Sequence, residues 1–200
     1  NGAEALNLIV KTWHSDGMPL WAIKKTSFSL TASDADYTVS GLGINRPIRV
    51  LQAFMRNTST NQDIPLIVLD RQSYWQLGDK TAEGTPTNLY YDPQLTDALS
   101  TIYLYPRPST TAASTYQCHI IYQRPFEDFD AATDTPDFPQ EWYSALVWEL
   151  ASVLAAEYGV PERRWQMIAA MAVREKDKVL DMGMEEGSVT FVPDRTRYGW

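Results

Sequence analysis

The sequence predicts an α+β protein: a helical bundle of one N-terminal helix and two C-terminal helices, with an inserted antiparallel β domain and an extended C-terminal tail. Three observations predict it. Apolar residues recur at helical spacing near both ends of the chain. Between residues 20 and 123 the pattern changes to short β-branched and aromatic runs separated by Gly, Pro, Asn and Asp. The residues after 183 have no helical period. The expected division is 1–19 with 136–183 as the helical part, 20–135 as the β-rich lobe, and 184–200 as the tail. The helix–strands–helix-pair order lets the first and last helices pack together.

The first helix is expected over residues 2–15. Ala5, Leu8, Ile9, Thr12 and Trp13 are read as its apolar face. Ser15-Asp16-Gly17 is a turn signal that ends it. The strand candidates are Tyr37–Val39, Ile48–Phe54, Ile64–Leu69, Leu89–Tyr91, Ile102–Tyr105 and Tyr116–Tyr122. Their spacing suggests a sandwich or small barrel. Asp70 is read as the cap of one or two helical turns. Ser109–Ser114 is small and polar, and reads as an exposed hairpin loop.

The helix after Pro139 carries its own start and stop signals. Proline suits a first helical position, where its missing N–H would be unpaired anyway. Glu141 sits at the positive end of the helix dipole. Tyr143, Val147, Leu150, Leu154 and Tyr158 form one stripe, expected to be buried. Gly159 stops the helix and Pro161 prevents its continuation. A last helix runs from Pro161-Glu162 to about Met182, with Trp165, Ile168, Ala172, Val179 and Met182 on its apolar side.

Composition narrows the function. Of the 200 residues, 44% are apolar, enough for one sizeable core or a core with an appendage. No apolar run approaches the roughly 18 residues needed to span a bilayer, so no membrane partner is expected. No basic-then-apolar leader opens the sequence. Cys118 is the one cysteine, so no intrachain disulfide or multi-thiolate metal site can be built; it reads as a buried strand residue. His14 and His119 lack any metal-ligand spacing; the first reads as a helix-end partner and the second as structural. There is no GxSxG elbow, P-loop or GxGxxG. No catalytic residue, cofactor or metal ligand is assigned, and a non-enzyme is expected.

The net charge of −8 is uneven. Residues 1–100 hold 8 basic and 10 acidic side chains, while residues 101–200 hold 9 and 15. Six acids (Glu127, Asp128, Asp130, Asp134, Asp137 and Glu141) stand without a base in 127–141. Such a chain lacks the clustered Lys and Arg that tight nucleic-acid binding needs. Two readings of the acidic segment stand: a solvated loop, or a surface beside DNA that must slide. Next to Phe126 and Phe129 the paired carboxylates also keep a glycan-cleaving alternative open.

Seven Trp and eleven Tyr exceed what one small core usually needs, and interfaces favour such residues. Trp142, Trp148 and Trp165 are read either as core or as a subunit interface. The tail carries β-prone Val189-Thr190-Phe191-Val192, then Arg195, Arg197, Tyr198 and Trp200. Disordered segments are usually aromatic-poor, which favours docking on a partner over a free end.

Residues 136–161 (Pro-Asp-Phe-Pro-Gln-Glu-Trp-Tyr-Ser-Ala-Leu-Val-Trp-Glu-Leu-Ala-Ser-Val-Leu-Ala-Ala-Glu-Tyr-Gly-Val-Pro) carry a family resemblance. So do Ala-Leu-Asn-Leu-Ile-Val-Lys-Thr-Trp-His-Ser-Asp-Gly-Met-Pro-Leu-Trp-Ala at 5–22, Arg-Pro-Ile-Arg-Val at 46–50, and Asp-Ile-Pro-Leu at 63–66. Gly-Thr-Pro-Thr-Asn-Leu-Tyr-Tyr-Asp-Pro at 84–93, Ile-Tyr-Leu-Tyr-Pro-Arg-Pro at 102–108 and Tyr-Gln-Arg-Pro-Phe-Glu-Asp-Phe-Asp at 122–130 continue the ordered set. Together they resemble the head-to-tail adaptors of tailed bacteriophages, the tail accessory or packaged-DNA stabilization proteins that include the tail tubular adaptors.

The resemblance implies a virion structural protein, assembled in the host cytoplasm and placed at the neck. It implies a homo-oligomeric ring of 12 copies between portal and tail that extends the DNA channel and retains the genome. A helical layer would form the ring and a β lobe would project outward. Partners would be the portal protein, met by the tail, then a downstream nozzle protein and tail fibres. DNA would pass without sequence-specific binding. The resemblance also implies a further helix ahead of residue 3. The alternative is a tail-associated glycan-binding or peptidoglycan-cleaving protein.

Overall fold

The computed structural model describes residues 2–16, 22–125 and 139–182. In it, seven strands hydrogen-bond into one curled, mostly antiparallel sheet. In chain order the strands are β1 (Ile23–Ser29), β2 (Asp36–Thr38), β3 (Arg49–Asn57), β4 (Asp63–Leu69), β5 (Glu83–Gly84), β6 (Asn88–Asp92), β7 (Thr101–Tyr105), β8 (Arg107–Pro108) and β9 (Tyr116–Gln123). Their order across the sheet is β1-β9-β3-β4-β6-β7-β2, and β5 with β8 forms a separate short ladder.

The helices are α1 (Gly2–Asp16), α2 (Arg71–Trp75), α3 (Thr110–Thr115), α4 (Tyr143–Glu157) and α5 (Glu162–Met182). The α+β class and most element positions therefore agree with the sequence reading. An entirely antiparallel sheet does not, because β4 and β6 pair in parallel. The stretch between them, residues 70–87, contains α2 and carries the chain back to the same end of the sheet.

Alternation along the strands builds the sheet's core. Ala53 and Met55 of β3, Cys118, Ile120 and Tyr122 of β9, Leu89 and Tyr91 of β6, and Ile102 and Leu104 of β7 all point to one side. Strand β1 escaped the sequence reading because Ile-Lys-Lys-Thr-Ser-Phe-Ser is polar; Phe28 is its one buried residue. Its paired edge is β9, and Lys24 and Lys25 charge it, a usual device against edge-to-edge pairing.

Residues 109–115 correct a second expectation. They are not a hairpin loop: Ser109 caps α3 by accepting a bond from Ala112 N, and Ala112 is buried. Helix α2 is capped as expected, with Asp70 accepting from Ser73 N at 2.6 Å.

A second apolar cluster lies among the helices. Ile9, Val10 and Trp13 of α1 meet Trp142, Ala145 and Leu146 at the start of α4, and Val179 of α5. On α1, Ala5, Ile9 and Trp13 are buried as expected, but Val10 joins them and Leu8 is 63% exposed. A 3₁₀ turn over Gln140–Trp142 leads into α4. Gly159 ends it at φ 61°, a left-handed conformation that suits glycine.

Candidate subunit interface

Helix α4 packs on both α1 and α5, and the cluster they form takes Ala145 and Leu146, with Leu150 packed against it. The stripe Tyr143–Val147–Leu150–Leu154–Tyr158 exists, but it is not the buried face. Tyr143 is 37% exposed, Val147 63% and Tyr158 78%, while Leu150 and Leu154 are half-buried. The physical reason is size. Ala145 and Ala155 are small enough for close helix–helix approach, which leaves Tyr143, Val147 and Tyr158 turned outward.

The three tryptophans separate. Trp142 is buried inside the chain, its ring 5.6 Å from that of Trp13 and tilted by 57°. It leaves little surface for a neighbouring subunit. Trp148 is half-buried. Trp165 is 42% exposed and donates its indole N–H to the Ser152 carbonyl at 3.2 Å, bridging α5 to α4. Phe191, Arg195, Arg197, Tyr198 and Trp200 lie outside the described residues, as do Glu127, Asp128, Asp130 and Asp134. The side chain of His14 also lies outside them.

Helix α5 presents a different outer face. Arg163, Met167, Ala170 and Arg174 follow one another at helical spacing and are all exposed, Met167 by 66%. They stand opposite Ala172 and Val179, which are buried. The charge on the two helices is unequal. Residues 139–160 contain Glu141, Glu149 and Glu157 and no base; residues 162–174 contain Arg163, Arg164 and Arg174 against Glu162. Further along α5, Glu175 accepts from Lys178 at 2.6 Å, which holds its carboxyl below the usual range.

Most aromatic residues of the sheet serve its own packing. Tyr74 of α2 stacks on Tyr90 at 5.0 Å and lies 5.2 Å from Tyr103, and Lys80 sits 4.7 Å over its ring. These contacts pin α2 to the sheet, with Trp75 left 57% exposed at the margin. Their packing accounts for much of the aromatic excess without a sugar platform.

His119 was read as structural, and it packs as such, its ring stacked on Phe54 at 4.9 Å. Both its ring nitrogens are buried without a hydrogen-bond partner. Burial lowers its pKa, and the positive charges of Lys25 and Arg56 lower it further against the opposing pull of Asp63. The folded chain therefore holds the neutral ring. Below the ordinary histidine pKa of about 6.5 the unfolded chain binds a proton that the folded one refuses, so stability falls as pH drops. His119→Phe keeps the stack and removes the proton. The denaturation midpoint of the wild type is expected to drop more between neutral and mildly acidic pH than that of the variant. Equal drops would contradict this.

Cys118 is fully buried, and burial pushes its thiol pKa up to about 12. Among the described residues, no group of three or more His, Cys, Asp or Glu could hold a metal ion. No helix described is long and apolar enough to cross a membrane.

A family model described as SU10 adaptor protein matches residues 3–190. A search of the curated proteins finds no match.

Proposed function

The chain belongs to the SU10 adaptor protein family, and on that premise we propose that it is a head-to-tail adaptor forming a ring between the portal and the tail of a phage. A phage adaptor is a structural component of the virion neck. In the proposed assembly, 12 copies match the portal, extend the DNA channel, retain the packaged genome, and offer a platform to a nozzle protein and tail fibres. The helical part, 1–19 with 136–183, forms the ring, and the β lobe, 20–135, projects from it. The role is mechanical and needs no cofactor or turnover.

The observation that carries this reading is the outward stripe on α4. Tyr143, Val147 and Tyr158 expose apolar surface along one helix face, and a row of this kind marks a protein contact. Lateral contact between copies would remove it from water. The excess of acid over base suits a conduit, since a negatively charged wall lets DNA slide rather than stick. The segment with Glu127, Asp128, Asp130 and Asp134 is proposed to lie near that channel.

The tail, 184–200, is proposed to dock on the portal through Phe191, Arg195, Arg197, Tyr198 and Trp200, buried aromatics and Arg being the usual interface anchors. Removing residues 188–200 is expected to abolish binding to the cognate portal ring and leave thermal unfolding unchanged. Sedimentation of the trimmed chain with portal rings checks this. Full co-sedimentation would show that the tail is not the docking element.

A further inference from the structure

We propose that the ring contact is heterologous: the α4 stripe of one copy lies on the outer face of α5 of the next. This rests on the ring reading above and adds which two surfaces meet. A closed ring of more than two copies requires two different, complementary patches on every subunit. The chain supplies two such patches on adjacent helices.

One patch is Tyr143, Val147, Leu154 and Tyr158, exposed or half-buried and flanked by exposed Glu157. The other is Met167 and Ala170, both exposed, flanked by exposed Arg163 and Arg174. The first patch is broad and apolar; the second has Ala170 at its centre, where a small residue lets another helix approach. Both rows follow the three- and four-residue helical spacing from which packed helices build interlocking ridges.

Charge decides the pairing. Two α4 faces together offer Glu157 no base, since residues 139–160 contain none, and two α5 faces packed about Met167 and Ala170 would bring Arg163 and Arg174 of both copies close. Around these two patches α4 on α5 sets Glu157 against Arg163 or Arg174, with exposed Asp177 and Asp181 lying further along α5, and like-charge juxtaposition is what excludes wrong partners. Among the described residues, neither Arg163 nor Arg174 forms an ion pair within its own chain.

The test uses Val147→Cys and Met167→Cys as separate full-length proteins. Each is oxidised alone and as an equal mixture, with the portal ring present, and native mass spectrometry of the same samples reports assembly. Fully buried Cys118 stays out of the reaction. The expected result is a shift to covalent dimer in the mixture and in neither protein alone. A dimer from Val147→Cys alone would replace the proposal with a two-fold contact. Rings that form in every sample without a mixed dimer would overturn the α4–α5 contact and leave the ring reading standing. No ring in any sample would fail the ring reading and this inference with it. A second readout guards against a poor crosslinking angle. Arg163→Glu with Arg174→Glu should abolish assembly, and Glu157→Lys in the same chain should restore it; failure to restore also overturns the pairing.

Discussion

Replacing Trp142 with Ala is expected to cost about 3–5 kcal/mol of stability, the range for removing a large buried aromatic and leaving a cavity. Trp142 sits where α1, α4 and α5 converge. It packs on Trp13 at 5.6 Å and shares a cluster with Ile9, Val10, Ala145, Leu146 and Val179. Tilted aromatic pairs of this spacing add roughly 0.5–1.5 kcal/mol beyond the area they bury. Against a total of about 5–15 kcal/mol for an ordinary domain, the loss is a large fraction. The first consequence is release of α1 from α4, which would remove assembly as well. Urea unfolding followed by helical circular dichroism measures it. A loss below about 0.5 kcal/mol, the level of an ordinary surface change, would mean the helical cluster does not hold α1 in place.

The second large effect separates assembly from folding. Val147→Lys puts a charge on a residue that is 63% exposed in the single chain. Substitutions at such positions usually change stability by no more than about 0.5 kcal/mol. In the assembled ring the same ammonium would be desolvated beside Arg163 and Arg174 of the next copy, and a desolvated charge without a counter-charge costs several kcal/mol. Repeated at every contact around a ring, that penalty is expected to abolish assembly while the unfolding midpoint stays near that of the wild type. Unfolding curves paired with native mass spectrometry check both halves. Intact rings from the variant would place α4 on an outer surface. A collapsed unfolding midpoint would place Val147 in the core.

The pattern of α4 shows what a sequence can and cannot convey. Its length and ends were legible because Pro139, Glu141 and Gly159 each have a local reason to sit where they do. The side that faces the core was not. A 3.6-residue period reveals an apolar stripe but does not say whether the chain itself or another molecule covers it. Tyr143, Val147 and Tyr158 of the stripe face outward, whereas Ala145 and Leu146, with Leu150 of the stripe beside them, join the cluster with α1 and α5. Trp142, just ahead of that stripe, anchors the fold instead.

Elsewhere the misses share a cause: local composition was read without the contacts that override it. Ser109–Ser114 is polar and small, yet one cap and one buried alanine make it helical. Strand β1 has almost no apolar alternation and is held by its ladder to β9. The parallel β4–β6 pair depends on the path through α2, which no residue of either strand signals. The stack of His119 on Phe54 is a contact between strands whose register the sequence alone does not give.

The most direct test of the adaptor role is the mass of the purified chain with and without its cognate portal ring, by native mass spectrometry or light scattering. The account predicts one bound copy of this chain for every portal subunit, in a complex of defined mass. A chain that stays at the monomer mass of 22.7 kDa in the presence of portal rings would contradict it.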